Sequence, residues 1–238
     1  MPNVAFISPK GGAGKTTAAL LLALGLAEQG RRVALIDSDY NKPLVHWGEM
    51  EGRPRFISVH AAPTIHDIRE AVREAQRHDP EWYIVDTEGS ERGAMVFAAL
   101  RFDLVLTPVA GSQLDLREAI KASQMVAAFG KRGGKPLLHR AILTRIPAAI
   151  KPRTLKSVVD QLRQAGVQIL PTPLVEKEAF RALFSIGGGF DELQESGAWG
   201  VAAARQNTES YVRDVMDLLR EQGHALGDAP IEGRELGI

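Results

Sequence analysis

The apolar run at residues 4–8 passes directly into Pro9-Lys10-Gly11-Gly12-Ala13-Gly14-Lys15-Thr16-Thr17, and an Ala/Leu-rich segment follows at once. A strand, a glycine-rich turn and a helix in immediate succession are the context that a phosphate-binding loop requires. Glycines let the backbone close around phosphate oxygens. The helix start adds unpaired N–H groups and a positive dipole end. The expected cradle comprises Gly11, Gly12, Ala13, Gly14, Lys15, Thr16 and Thr17. Lys15 bridges the β- and γ-phosphates of ATP, and the Thr16 hydroxyl ligates Mg²⁺.

Further apolar runs at 33–37, 56–59, 82–86, 104–108, 137–144 and 167–170 read as strands, with helix-period segments at about 15–29, 64–78, 113–131 and 153–165 between them. Continuous apolar strands are buried on both faces, so the alternation predicts an α/β fold: a doubly wound, mostly parallel sheet with helices on both sides. The 238 residues, 45% of them hydrophobic, suffice for one core. One domain over 1–222 is expected, with 223–238 as a flexible tail. Gly187-Gly188-Gly189 reads as a flexible loop. Tyr211, Val212, Val215, Met216, Leu218 and Leu219 predict a core-packed helix within 208–221.

Composition narrows the chemistry. The chain has no cysteine, which excludes disulfides, thiolate metal sites and iron–sulfur clusters. No basic-then-apolar leader opens it, and its longest apolar stretch, 18–27, is far short of the roughly 20 residues that span a bilayer. A cytoplasmic location is the expectation. With 29 basic against 29 acidic residues, any DNA affinity has to come from a local patch.

Two further strands end in carboxylates. Leu35-Ile36-Asp37-Ser38-Asp39 closes the second strand, and Trp82-Tyr83-Ile84-Val85-Asp86-Thr87-Glu88-Gly89 carries Asp86 at the end of another. The carboxyl ends of parallel strands border the ligand crevice, and Asp86 suits water-mediated Mg²⁺ binding.

The loop departs from the standard pattern: Pro9 stands where glycine is usual, and Lys10 adds a second lysine. It resembles the KGGxGKT signature of the ParA/MinD family of deviant Walker ATPases. That resemblance implies that Lys10 reaches across a homodimer interface to the partner's nucleotide. It also implies that Asp39 orients the attacking water, that Asp37 supports the Mg²⁺ shell and that the Gly89 backbone senses the γ-phosphate. The segment DSDYNKPLVHW is similar to the VirC-type and small stand-alone ParA branches. Ala110-Gly111-Ser112 replaces the family's Pro-Ser loop, with Asp115 in its expected place. Thr144-Arg145 stands where an adenine-contacting asparagine is common, and Pro171 follows the last strand near the base.

Charge then separates the branches. Asp214, Asp217 and Glu221 would repel anionic lipid, so no membrane partner is expected. The segment with Arg145, Lys151, Arg153, Lys156 and Arg163 carries only Asp160 in opposition, and Arg205, Arg213 and Arg220 could add to it. Lys151, Arg153, Lys156, Arg205 and Arg213 are the expected DNA contacts, salt-sensitive and sequence-independent. With no helix-turn-helix read ahead of the loop, non-specific DNA binding instead of operator recognition is the expectation. The expected function is a nucleoid-associated ATPase, weak and stimulated by a ParB-like or cargo-adaptor protein, that positions a cargo through an ATP-dependent dimer on non-specific DNA. A metabolic P-loop ligase resembling dethiobiotin synthetase and a nucleotide-gated polar scaffold are the alternatives.

Overall fold

The structure, a computed structural model, describes residues 1–8, 11–88, 102–132, 137–147 and 153–226. In chain order these form β1 (Asn3–Phe6), α1 (Lys15–Glu28), β2 (Val33–Asp37), α2 (Pro43–Glu49), β3 (Ile57–Ala61), α3 (Ile65–Gln76) and β4 (Trp82–Asp86). There follow β5 (Leu104–Val109), α4 (Gln113–Arg132), β6 (Leu138–Leu143), α5 (Arg153–Gln164), α6 (Glu178–Ile186), α7 (Phe190–Glu195) and α8 (Val201–Glu221). The strands make one wholly parallel sheet in the order β3-β2-β4-β1-β5-β6. This is the doubly wound α/β fold that the alternation predicts.

Side-chain alternation along the central strand sorts the helices. Val4 and Phe6 pack with α1, α2, α6, α7 and α8, whereas Ala5 and Ile7 pack with α3 and α4. Helix α5 lies on α4 through Val158 and Leu162, on that second face. Helix α1 is apolar all round, and residues 18–27 are all buried because the sheet covers one side and α8 the other. Gly25 permits this close approach: a Cβ there would lie 2.6 Å from Val212 Cγ2.

Several sequence expectations are corrected. Residues 167–170 form no seventh strand. They contribute an isolated bridge, Ala141 to Ile169, because Pro171 and Pro173 follow at once and supply no ladder donors. Helix α8 begins at Val201, ahead of the predicted stretch, and α2, α6 and α7 were not foreseen. Gly187-Gly188-Gly189 is a buried, packed corner. A Cβ on Gly187 would meet Met50 Cβ at 2.6 Å, and the Gly188 carbonyl accepts a hydrogen bond from the fully buried Trp47 Nε1 at 3.1 Å. Packing also continues past 222, since Leu226 is buried in the core and His224 Nε2 approaches Asp103 at 3.7 Å.

Candidate nucleotide site

Strand register assembles the carboxyl edge. Asp37 of β2 pairs with Asp86 of β4, and Asp86 pairs with Phe6 of β1, so two acidic strand ends lie level with the start of the glycine loop. Gly12 and Gly14 adopt left-handed backbone, φ 81 and 89, which a Cβ would strain. Gly14 is the N-cap of α1 and offers no side-chain cap, so the first amides of that helix are left for an anion.

The loop is clasped from β6. Thr144 Oγ1 donates to the Ala13 carbonyl at 2.7 Å, and Arg145 Nη1 donates to the Gly12 carbonyl at 2.9 Å. Arg145 itself is left-handed at φ 56. Both residues line the cleft, but their side chains hold loop backbone, a role sequence reasoning assigned to neither.

Lys15 is 7% exposed. Burial lowers its ammonium below the ordinary lysine range, and Asp86, Asp39 and Glu88 oppose that shift. Thr16 Oγ1 donates to Asp86 Oδ2 at 2.6 Å, while Asp86 Oδ1 is buried with no partner among the described residues. Asp86 is pushed up to about 7, chiefly by burial; the Thr16 hydrogen bond draws it down, Asp37 raises it, Lys15 lowers it and Asp39 raises it. A hydroxyl beside a carboxylate with one orphaned buried oxygen fits a Mg²⁺ shell, because the cation would satisfy the atom that protein leaves unpaired. Asp39, half-buried, lines the cleft with Gly11, Gly12, Gly14, Lys15, Thr16 and Thr17. Ala13 is buried behind them.

A family model described as VirC1 protein matches residues 1–223. The chain belongs to the VirC1 family. A ParA protein of Rhizobium radiobacter is 31% identical over 225 residues, covering 93% of this chain and 99% of that one. A virC1 protein of Rhizobium rhizogenes is 31% identical over 189 residues, 77% of this chain and 80% of that one. The solved complex of a Cyanothece McdA variant with ATP shares the fold at TM-score 0.66 and 16% identity, covering 91% of this chain and 96% of that one. By family the protein is thus a ParA/MinD-like ATPase.

In this VirC1-family chain the other wall of the cleft comes from Leu174, Val175, Glu176, Lys177, Phe180, Arg181 and Phe184, none of them singled out by sequence reasoning. The whole cleft measures about 320 Å³. Long-range bonds hold this wall. Ile146 bridges Val175, Glu176 N donates to the Ile146 carbonyl at 2.8 Å, and Asn207 of α8 takes the Val175 N–H at 2.9 Å while donating to the Pro173 carbonyl at 2.9 Å. Arg181 pairs with both Glu176 and Glu178. The only local signal was Phe180 and Phe184 at i, i+4, ordinary for any core helix. Pro171 is exposed and is not among the residues that line the cleft, whereas 174–177 are.

Lys10, Gly89 and Lys151 lie outside the described residues, as do 227–238. The expected DNA contacts do not form one patch. Lys156 is exposed on α5, on the α4 face of the sheet, whereas Arg205 and Arg213 are on α8, on the other face. Arg205 is held by Glu28 at 3.0 Å and by Asp191, which removes it from the phosphate-binding set. Arg213 is exposed beside Glu28, Glu209 and Arg220. Arg153 opens α5. Asp115 forms a capping box with Ser112, accepting its hydroxyl at 2.6 Å, and so starts α4.

Proposed function

We propose that this VirC1-family protein binds ATP and Mg²⁺ in the cleft, closes as a sandwich dimer and positions a cargo on non-specific DNA, with slow hydrolysis stimulated by a ParB-like or cargo-adaptor protein. The observation that carries the reading is the convergence of buried Lys15, the Thr16–Asp86 pair and Asp39 around one glycine loop. Lys15 neutralises charge on the β- and γ-phosphates, and its low exposure strengthens that interaction. Thr16 and Asp86 hold Mg²⁺, which when bound offsets charge on the triphosphate. Asp39 accepts a hydrogen bond from the attacking water and aligns it with the γ-phosphate. Lys10 supplies a second positive charge from the partner protomer.

Of the expected DNA contacts, exposed Lys156 on α5 remains as the proposed surface, together with Lys151 and Arg153, which precede it in the chain; Arg213 stands on the opposite face. Phosphate contacts of this kind make retention fall steeply with salt. The protein acts in the cytoplasm on the nucleoid. Among the described residues no helix is long and apolar enough to cross a membrane.

The test is gel filtration with light scattering, alongside retention on random-sequence DNA, with ATP, with ADP and with neither. Dimer and DNA retention with ATP alone, both lost in Lys10→Ala, is the expected result. An oligomeric state indifferent to nucleotide in wild type and variant alike would remove the proposed switch.

A further inference from the structure

Asp37 and Asp39 sit two residues apart at the same strand end, yet their surroundings differ. Asp37 is 0% exposed. Its Oδ1 accepts the Asp39 N–H at 3.1 Å, and its Oδ2 accepts the N–H groups of Leu44 at 2.8 Å and Val45 at 3.1 Å. Three of the roughly four acceptor positions of a carboxylate are thereby filled with backbone amides.

Those amides are not incidental. Helix α2 starts at Pro43 after Lys42, a left-handed N-cap at φ 49 whose side chain makes no capping bond. Leu44 and Val45 are the second and third residues of the helix, whose amides an N-cap side chain ordinarily satisfies. Asp37 performs that service from the end of β2. The intervening loop is pinned at further points: Ser38 N donates to the Asp86 carbonyl at 2.9 Å, Asn41 N donates to Asp39 Oδ1 at 2.9 Å and Lys42 N donates to the Asp39 carbonyl at 3.0 Å. Asp86 shows the opposite pattern, with one oxygen on Thr16 and the other unpaired among the described residues.

We propose that Asp37 is a positioning residue: it clamps loop 38–42 between β2 and α2 so that Asp39 faces the triphosphate, and it stays outside the Mg²⁺ shell. Turning its carboxylate to a cation would strip acceptors from buried helix-start amides, the Leu44 bond being fully buried. This reverses the metal-supporting role that the family resemblance suggested for Asp37. Helix α2 also carries Trp47, and Trp47 bonds Gly188 at the corner after α6. Helix α6 supplies Phe180, Arg181 and Phe184 to the far wall of the cleft. The Asp37 bonds themselves reach only Asp39, Leu44 and Val45 among the described residues, so their direct effect is on loop 38–42.

The inference rests on the cleft being the ATP·Mg²⁺ site, and its primary readout is independent of turnover. Amide hydrogen exchange on the wild-type protein should show Asp39, Leu44 and Val45 already protected without nucleotide or metal, and protected at least as well after Mg²⁺–ADP is added. Loss of that protection by about tenfold or more on adding Mg²⁺ would mean that the carboxylate has left the amides for the cation, and would overturn the proposal.

Asp37→Asn places an NH₂ against one set of N–H donors. It should speed exchange of these amides about tenfold and lower kcat by about 10- to 100-fold, because Asp39 is misplaced. KM and the Mg²⁺ concentration needed to retain fluorescent ADP should stay within about twofold of wild type. A Mg²⁺ midpoint displaced as far as in Asp86→Asn refutes the clamp. If Asp37→Asn fails to fold, the wild-type exchange decides alone. If the protein binds no nucleotide, the proposed function fails, while amide protection in the free chain still reports whether the clamp exists.

Discussion

The two walls of the cleft are built by opposite means. The phosphate wall is local: loop, cap and first helical turn occupy residues 11–17, and its outside ties include the Thr144 and Arg145 clasp and the Thr16–Asp86 bond. The far wall is non-local. Residues 174–177 have no regular secondary structure of their own, and they are held by Ile146, just beyond β6, and by Asn207 of α8. A wall made of one continuous motif tolerates change elsewhere. One stitched from three chain regions fails when any stitch is removed.

The largest expected effect tests the local wall. Lys15→Ala should lower ATP hydrolysis by about 100- to 1000-fold, as loss of a charge-stabilising donor does, with an unchanged circular dichroism spectrum. Phosphate release is the measurement, and near-normal turnover would move the chemistry away from this cleft.

Acid should separate the walls. His139 of β6 hydrogen-bonds Thr107 of β5 at 2.9 Å, and its ring is pushed down to about 4, by burial first and by Arg140 second. Its folded value lies below the unfolded value of about 6.5, so the unfolded chain takes up the proton first. The stabilisation is complete above pH 6.5 and is lost as pH falls toward 4. The slope is at most about 1.4 kcal/mol per pH unit, some 2 kcal/mol by about pH 5. Urea midpoints between about pH 7 and 4.5 measure it, and His139→Asn should flatten the dependence. Because Ile146 follows closely after β6, hydrogen exchange at 174–177 should rise under acid before exchange at 15–20 does.

Asn207→Ala removes both side-chain stitches of the far wall and leaves the Val175 N–H without its acceptor. The KM for ATP should rise about tenfold with kcat within about twofold, since one orphaned amide costs about 1–3 kcal/mol. Steady-state kinetics distinguishes this from a fall in kcat, which would show that the far wall acts in the chemical step. Thr144→Val tests the clasp and carries the smallest effect, about 1 kcal/mol or fivefold in kcat/KM, because the glycine loop keeps its own geometry. A much larger loss would mean that the phosphate wall is no more self-sufficient than its counterpart.

The same contrast explains what was legible. The glycine loop, the strand-end carboxylates and α1 announce themselves through spacing and continuous apolar runs, signals contained within short windows of chain. The Ser112–Asp115 box fell at its expected place and proved to be a helix cap. Glu176, Phe180, Arg181 and Phe184 carry no comparable signature, because the same residue types at the same spacing occur on ordinary helices. Gly187-Gly188-Gly189 was misread for a related reason. Glycines mark mobility and close packing alike, and only Met50 and Trp47, far away in the chain, show which applies. The basic residues looked like one patch because charge was counted along the chain, while the sheet places α5 and α8 on opposite faces.

From sequence alone came the class of fold, the glycine loop and the strand-end carboxylates that gather beside it, since backbone freedom at glycine and the burial of apolar strands are local physics. Tertiary structure decided what each group is free to do. Asp37 is committed to helix amides, Arg205 to Glu28 and Asp191, and the far wall exists only where β6 and α8 converge on residues 173–176. Whether a polar atom is spare or already spent depends on which partners folding brings within about 3 Å, and chain order does not specify that.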